Sequence, residues 1–273
     1  MLTLRCWGTR GNLATPQAEM LELGGNTSCY EVGLGDQSLI LDCGTGVIEY
    51  AGAVMGKALS EPTDFHMFVS HFHWDHVLGF PFFHPIHAPG TRVHLYSAFA
   101  PEVLEAHFRN LFDGTYSPLR DLDNLTAEIH FHQVPEEGTE ILGATVRCTQ
   151  VDHTEQAYAA RIEYGGRSLA YVTDHEARDN DRNEAVLALV QGADLMLHDA
   201  QFTDSEYPQH EGWGHSSIEA ALRNAQAASV GRLCLTHHDP GHSDAFLRDY
   251  LAGLELPAGV NAEFAAEGPT TEV

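Results

Sequence analysis

The amino-acid sequence predicts an α/β fold in which two β-sheets are covered by helices. Short apolar runs rich in Val, Ile and Tyr alternate with helix-like stretches along most of the 273 residues. The early runs follow one another as hairpins, whereas helices separate the later ones, and this order favours sheets with helical layers. The length suits one large domain or two small ones, and it allows a substantial core.

Apolar runs with the length and composition of strands recur along the chain. They cover residues 2–6, 28–34, 38–42, 66–70, 92–96, 128–133, 141–151, 157–164, 168–173, 194–198 and 232–236. Gly165-Gly166 lies between two of these runs and is typical of a hairpin turn. The tail at 257–273 is weakly patterned, so we expect it to fray.

Helical patterning is found between the strand-like runs. The predicted helices are 45–56, 101–111, 180–191, 216–229 and 243–254. The segment at 216–229 has the clearest boundaries. Ser216 followed by Glu219 fits a capping box, and Gly231 lies where a glycine commonly follows a helix.

The chain is acidic and rich in histidine. It has 14 Lys+Arg against 39 Asp+Glu, a formal net charge of −25, and 18 His. Proteins that bind long nucleic acids usually have a basic face, so we do not expect such a partner. No apolar run approaches the ~20 residues of a membrane helix, and we see no signal peptide. We therefore expect a cytoplasmic protein with no membrane partner, whose 5 scattered cysteines are buried free thiols.

The strongest functional signal is FHMFVSHFHWDH at residues 65–76, where an apolar strand ends in a cluster of potential metal ligands. Side chains two residues apart in an extended segment point the same way, so His71 and His73 can share one metal ion. Asp75 and His76 are adjacent and face elsewhere once the chain turns, which suits a second ion. Imidazole with carboxylate is typical of Zn²⁺, Mn²⁺ or Fe sites.

Further ligand-type residues follow other predicted strands. They are Asp42, His153, Asp174, His198, Asp199 and His237. Each has a simpler alternative: Asp42 could brace the turn formed by Gly-Thr-Gly, and a single strand-end histidine is often structural. Their recurrence at one strand end after another favours a site gathered along one edge of the sheets.

This ordered set, a strand-end Asp, HxHxDH, a lone His, a lone Asp and a final His, resembles the five motifs of the metallo-β-lactamase superfamily. The resemblance spans residues 42–237 and implies one domain over 1–273, with the αββα four-layer sandwich of that superfamily, two mixed β-sheets flanked by helices. It also implies two divalent metal ions per chain, Zn or Mn with Fe as an alternative. The implied ligands are His71, His73 and His153 for one metal, Asp75, His76 and His237 for the other, with Asp174 bridging both and Asp42 orienting a ligand histidine.

The C-terminal half resembles the phosphodiesterase branch of that superfamily. The segments GADLMLHDAQF (192–202), GWGHSS (212–217) and LCLTHHDP (233–240) look like those of the class II-like cyclic-nucleotide phosphodiesterases and the tRNA 3′-processing endonucleases. The resemblance implies hydrolysis by a metal-bridging hydroxide, with Asp75, His215 and Asp199 as catalytic residues. His215 would protonate the leaving oxygen and Asp199 would hold His215. The simpler roles are a capping or interface contact for His215 and a turn brace for Asp199.

The acidity favours a small phosphodiester substrate, a cyclic nucleotide or cyclic dinucleotide, over tRNA. A tRNA endonuclease-like activity and a ribosyl cyclic-phosphate phosphodiesterase are the alternatives, followed by a thioesterase or lactonase and by a non-catalytic metal-binding module. Arg10, Phe80 and Ser216 are candidate substrate contacts, since phenylalanine can stack on a base. Arg10 could equally pair with a carboxylate, and Phe80, Phe82 and Phe83 could equally belong to the core or to a homodimer contact.

Overall fold

The N-terminal half of the chain builds the first of two mixed sheets. The computed structural model describes residues 1–115, 117 and 119–273. In this part of the chain the first sheet has the order β14-β1-β2-β3-β4-β5-β6. Its strands are β1 (Leu2–Gly8), β2 (Cys29–Leu34), β3 (Gln37–Leu41), β4 (Asp64–Phe68), β5 (Arg92–Ser97), β6 (Glu128–Gln133) and β14 (Thr271–Glu272). Neighbours from β14 to β3 are antiparallel, and those from β3 to β6 are parallel.

The second sheet repeats this division with the later strands. Among the described residues its order is β13-β12-β11-β10-β9-β8-β7. The strands are β7 (Thr139–Ile141), β8 (Ala144–Gln150), β9 (Tyr158–Tyr164), β10 (Arg167–Val172), β11 (Leu195–Asp199), β12 (Arg232–Thr236) and β13 (Ala262–Phe264). Pairs from β7 to β10 are antiparallel and pairs from β10 to β13 are parallel.

Helices cover the outer faces of both sheets. They are α1 (Gly46–Ser60), α3 (Pro101–Asn110), α4 (Asp181–Val190), α5 (Ile218–Ala227) and α6 (Asp244–Gly253). A short helix, α2 (Trp74–Val77), follows β4. One apolar cluster joins α1 and α3 to the first sheet, a second lies between the two sheets, and a third joins α4, α5 and α6 to the second sheet. The predicted four-layer arrangement, two mixed sheets flanked by helices, is therefore confirmed.

The central parallel strands explain the continuous apolar runs in the sequence. All five residues of β11 are buried, because helices cover one face of the strand and the other sheet covers the other. All five cysteines are buried and free, as expected. No helix in the described part of the chain is both long enough and apolar enough to cross a membrane.

One predicted turn is confirmed and one predicted strand is corrected. Gly165 and Gly166 have φ of 60° and 81° and close the β9–β10 hairpin, which confirms that turn. The predicted strand at 141–151 is instead interrupted, since Leu142 and Gly143 have φ of 53° and 78° and turn the chain from β7 into β8. A leucine in this conformation is uncommon, which is why the sequence did not indicate the turn.

The boundaries of the predicted 216–229 helix are also corrected. The cap is Ser217, whose hydroxyl accepts a hydrogen bond from the Ala220 N–H at 3.0 Å. Glu219 does not complete a capping box, because its carboxylate accepts a hydrogen bond from the Asp204 N–H at 3.0 Å. At the other end Ser229, with φ of 52°, takes the left-handed conformation that we had expected of a glycine.

The tail at 257–273 does not fray as expected. Its residues form β13 and β14, which add one edge strand to each sheet. Both strands are short, β13 is only partly buried and β14 is exposed, so they lack the alternating apolar pattern that identifies a strand in a sequence.

Candidate metal centre

The predicted ligands and Asp42 converge because their strands end at the same edge of the molecule. Asp42 directly follows β3, and Asp174 and His237 follow β10 and β12 within two residues. These three residues have φ of 59°, 50° and 60°, so each turns the chain sharply as the strand ends. Non-glycine residues rarely adopt this conformation, and its recurrence at functional sites is well known.

The first ligand cluster consists of His71, His73, His153 and Asp174, whose ligand atoms all lie within 4.8 Å of one another. His153 Nε2 is 3.1 Å from His73 Nδ1. The Asp174 Oδ1 atom lies 3.6 Å from His71 Nε2 and 3.8 Å from His153 Nε2. Three nitrogens and one carboxylate oxygen at this spacing are a common donor set for a divalent transition metal.

The second ligand cluster consists of Asp75, His76 and His237. Asp75 Oδ2 lies 3.3 Å from His76 Nε2 and 3.1 Å from His237 Nε2. Asp174 reaches this cluster too, because its Oδ2 is 3.1 Å from His76 Nε2 and its Oδ1 is 3.4 Å from His237 Nε2. The Asp174 carboxylate therefore lies between the two clusters and is in reach of both.

The residues present fit bound cations. The Nε2 atoms of His71 and His76 are buried, and neither makes a hydrogen bond to the described residues. Buried polar atoms are rarely left without partners in proteins. Asp75 and Asp174 are also buried, and their ion pairs within the described chain involve histidine alone. Buried carboxylates without Lys or Arg partners are typical of metal ligands.

The two ligand clusters differ in the protonation of their histidines. Burial lowers the pKa of His71, His73 and His153, so that their imidazoles are neutral and retain a lone pair. Burial alone would raise the pKa of Asp75 and Asp174, but the surrounding histidines hold both well below the usual range. Burial alone would also lower the pKa of His76 and His237, but Asp174 and the neighbouring carboxylates raise both, that of His237 to about 9. The first ligand cluster therefore already has the protonation states of metal ligands, whereas an ion in the second would displace protons from His76 and His237.

Asp42 holds His76 in one orientation. Its Oδ2 accepts hydrogen bonds from His76 Nδ1 and from the Tyr171 hydroxyl, both at 2.7 Å. The Ser70 N–H and hydroxyl also donate to this carboxylate, each at 2.7 Å. With Nδ1 protonated by this contact, His76 presents the lone pair of Nε2 to the second ligand cluster.

Other ligand histidines are held in the same way. His153 Nδ1 lies 2.9 Å from the Gly214 carbonyl oxygen, and His237 Nδ1 lies 3.2 Å from Gln201 Oε1. Each of these contacts turns Nε2 toward the ligand clusters. Gly214 must be glycine, since it has φ of 86° and an added Cβ would lie 2.2 Å from His153 Nδ1.

His215 and Asp199 form a hydrogen-bonded pair beside the clusters. His215 Nδ1 lies 2.8 Å from Asp199 Oδ2, and the His215 ring stacks on that of His237 with centroids 4.9 Å apart. The other oxygen of Asp199 accepts a hydrogen bond from the Ser216 N–H at 2.9 Å. The carboxylate thus fixes the His215 tautomer and leaves Nε2 as the nitrogen that can exchange a proton with a bound molecule.

Arg10 lies outside the site, so its proposed substrate contact is corrected. It is fully buried. Its guanidinium donates hydrogen bonds to the carbonyls of Gly24 and His242 at 2.8 Å and of Met20 at 3.1 Å. It also pairs with Asp244 Oδ1 at 2.7 Å. Arg10 therefore has the alternative role that the sequence left open, pairing with a carboxylate.

Phe80 is likewise a core residue and not a substrate contact. Its ring is fully buried and packs edge-on against Phe108 and Phe112, at centroid distances of 4.8 and 6.1 Å. Phe83 is buried in the same apolar cluster, whereas Phe82 is partly exposed. The alternative that these phenylalanines belong to the core therefore holds for Phe80 and Phe83.

Ser216 is buried as well and acts between backbone segments. Its hydroxyl donates to the His175 carbonyl oxygen at 2.5 Å and accepts from the Ala177 N–H at 3.0 Å. These bonds tie the 214–217 segment to the chain that follows Asp174. Ser216 therefore positions the His215–Asp199 pair and is not available to a substrate.

Glu176 is a site residue that sequence reasoning missed. Its buried carboxylate accepts hydrogen bonds from the Gly212 and Gly214 N–H groups, at 2.8 and 3.0 Å, and from the Tyr207 hydroxyl at 2.6 Å. It thereby holds the loop that carries the Gly214 carbonyl and His215. Its position two residues after Asp174 is the signal that could have identified it.

An open cavity of about 660 Å³ adjoins the first ligand cluster. His71 and His73 form part of its wall, and three aromatic rings, those of Phe72, Phe99 and Tyr158, form another part. Phe99 meets Phe72 at a centroid distance of 4.7 Å and Tyr158 at 5.1 Å. These aromatic residues were not singled out by the sequence, although Phe72 lies within HxHxDH.

The cavity has little positive charge. Its described lining also includes His107, the amide side chains Gln133 and Gln156, and the carboxylate of Glu155. None of the described lining residues is Lys or Arg. This combination of rings and neutral amides beside a metal centre suits an uncharged planar group.

Two curated proteins are similar to most of this chain. A ribonuclease Z from Ignicoccus hospitalis is 26% identical over 241 residues, which cover 75% of this chain and 79% of that protein. An uncharacterised protein from Mycobacterium leprae is 30% identical over 210 residues, covering 74% of this chain and 67% of that protein.

Solved structures share the fold over the full length. The metallo-beta-lactamase fold protein YhfI from Bacillus subtilis superposes with a TM-score of 0.74 at 21% identity, covering 100% of both chains. A diphosphatase of the PhnP family has a TM-score of 0.71 at 20% identity, covering 100% of this chain and 98% of its own. A family model described as a beta-lactamase superfamily domain matches residues 38–238, more than half of the sequence. The chain belongs to the beta-lactamase superfamily.

Proposed function

We propose that this protein is a dinuclear metal-dependent phosphodiesterase that hydrolyses a small phosphodiester, a cyclic nucleotide or a cyclic dinucleotide. The observation that carries the proposal is the His215–Asp199 pair, at 2.8 Å, next to two ligand clusters that Asp174 can reach together. Metal clusters alone would suit many hydrolases of this fold. A histidine held by a carboxylate beside them adds the proton donor that an alkoxide leaving group needs.

One ion would be held by the first ligand cluster, through His71, His73 and His153. The other would be held by the second ligand cluster, through Asp75, His76 and His237. Asp174 would lie between the two ions. When bound, the two ions supply Lewis-acid activation of the phosphodiester and of the attacking water. His215 would donate the proton at Nε2 to the leaving oxygen. Asp199 keeps that histidine in the required tautomer through the 2.8 Å contact.

The cavity beside His71 and His73 supports a small substrate. Its volume of about 660 Å³ accommodates a nucleotide-sized molecule, and its rings offer stacking surfaces for a base. The net charge of −25 disfavours a long polyanion, because phosphate neutralisation supplies most of the affinity for nucleic acid.

A tRNA 3′-end endonuclease is the second candidate, and the relatives named ribonuclease Z favour it. Both candidates hydrolyse a phosphodiester bond, but in different substrates. They differ in the surface that would have to contact the rest of a tRNA, for which the acidity of this chain offers little support.

The direct experiment measures turnover by protein loaded with Zn²⁺ or Mn²⁺. The substrates are bis-p-nitrophenyl phosphate, cyclic mononucleotides, cyclic dinucleotides, a precursor tRNA, a thioester and a lactone. We expect turnover of the small phosphodiesters. Efficient cleavage of the tRNA alone would establish the second candidate, and turnover of the thioester or lactone without any phosphodiester would overturn both.

A further inference from the structure

A ladder of histidines lies on the first sheet, away from the metal centre. His66, His94 and His130 occupy directly paired positions on the parallel strands β4, β5 and β6. Their rings stack, with centroids 4.7 Å apart for His66 and His94 and 5.0 Å apart for His94 and His130. His132, two residues further along β6, lies on the same face. None of the four has a part in the proposed reaction.

Two ladder histidines point ring nitrogens at each other. His94 Nδ1 and His132 Nε2 are 3.1 Å apart. The other nitrogen of His94, Nε2, lies 3.3 Å from Asp64 Oδ1. Asp64 is itself held in place by Arg92, which donates two hydrogen bonds to it at 2.5 and 2.8 Å. With Nε2 donating to the carboxylate, a neutral His94 directs the lone pair of Nδ1 toward His132.

This arrangement matches that of a metal-binding histidine. Such a residue usually donates its second ring N–H to a carboxylate, which fixes the tautomer and increases the basicity of the ligand nitrogen. Two imidazole nitrogens on one tetrahedral Zn²⁺, each at ~2.0–2.1 Å, lie roughly 3.3 Å apart. The observed separation of 3.1 Å requires little movement to admit an ion.

Carboxylates and solvent border the His94–His132 pair. Asp64 lies on one side of the pair, and Glu128 lies near His130, with Oε2 3.6 Å from that ring. The side chain of His94 is 21% exposed, so water can reach the pair and complete the coordination shell.

We propose that His94 Nδ1 and His132 Nε2 bind a divalent transition-metal ion, with Asp64 orienting His94. The ion is of the Zn²⁺ class, because two imidazoles with water as the remaining ligands suit borderline metals better than Ca²⁺ or Mg²⁺. This site is separate from the proposed catalytic ions and does not depend on the proposed function.

The experiment counts Zn²⁺ per chain after equilibrium dialysis of the full-length protein, by mass spectrometry of the metal. We expect His94→Ala and His132→Ala each to bind one ion fewer than the wild type. Asp64→Asn should keep the site but weaken it by ~10–100-fold, the usual effect of removing a carboxylate behind a ligand histidine. Circular dichroism establishes that each variant is folded, and His132→Gln offers a milder replacement.

His130→Ala is the matched control, since it removes a ladder histidine but leaves the His94–His132 pair intact. It should bind as many ions as the wild type. Equal Zn²⁺ counts in the wild type, His94→Ala and His132→Ala would overturn the proposal and identify the 3.1 Å contact as an ordinary hydrogen bond. An equal loss in all three alanine variants would also overturn it, because binding would then be a diffuse property of the ladder.

Discussion

His76 Nδ1 lies 2.7 Å from Asp42 Oδ2, and both side chains are fully buried. The contact joins the end of β3 to the short helix α2. Asp42, which follows β3, thereby sets the orientation of His76, a ligand that follows β4. Tyr171 and Ser70 donate hydrogen bonds to the same carboxylate, which keeps it in place. Asp42 is therefore a positioning residue, and its effect on metal binding can be measured.

Asp42→Asn should weaken binding of the ion in the second ligand cluster by ~10–100-fold. The amide lacks the negative charge that favours the His76 tautomer with Nε2 free for the metal. Asparagine tolerates the φ of 59° at this position, so the backbone is expected to remain as it is. Titration against a competing chelator measures the affinity.

Tyr171→Phe is the control for Asp42→Asn, because it removes one hydrogen bond from the carboxylate and leaves the charge. Tyr171→Phe should weaken metal binding less than Asp42→Asn does. Unchanged metal affinity in Asp42→Asn would mean that the contact with His76 does not govern binding.

The ligand positions could be predicted from the sequence because the geometry of parallel strands brings their ends together. Asp42, Asp174 and His237 each follow an apolar run. Hydrogen bonding between β10, β11 and β12 places Asp174 and His237 at one edge of the second sheet. Packing of the two sheets brings Asp42 to the same place, where Tyr171 of β10 donates a hydrogen bond to it. The same reasoning predicted the two sheets and their helical layers. It depends only on local patterns and on the order of the elements.

Substrate contacts could not be predicted in this way. The partner of Arg10 is Asp244, 234 residues further along the chain, and nothing local to Arg10 indicates that its guanidinium turns inward. Phe80 begins a short 3-10 turn, in which neighbouring side chains point in different directions, so its burial follows from packing against α3. Tertiary contacts of this kind have no periodic signature.

His215→Ala should reduce kcat by ~10²–10⁴-fold, the range expected when a general acid is lost. Its metal content should match that of the wild type. His237→Ala is the contrasting variant, since this neighbour belongs to the second ligand cluster and should lose metal. Loss of metal in His215→Ala would instead make His215 a ligand.

Tyr158→Ala should weaken inhibition by a nucleoside, which lacks the phosphate and tests the cavity alone. Loss of one stacking ring costs ~1–3 kcal/mol, so the inhibition constant should rise roughly 5–150-fold. Tyr164→Ala, at the other end of β9 and outside the cavity lining, is the matched control and should leave inhibition unchanged. Equal inhibition of the wild type, Tyr158→Ala and Tyr164→Ala would show that the cavity does not bind the nucleoside.

Arg10→Met should destabilise the fold by ~3–5 kcal/mol, since it leaves the buried Asp244 carboxylate without its cation. The substitution also leaves the carbonyls of Gly24, Met20 and His242 without the guanidinium as a donor. Urea unfolding measures the free energy, and Asp244→Asn with the double variant completes the cycle. Because Arg10 ties the N-terminal segment to α6, strongly non-additive losses are expected. Additive losses would show that the two side chains stabilise the protein independently, despite the 2.7 Å separation of their charged groups.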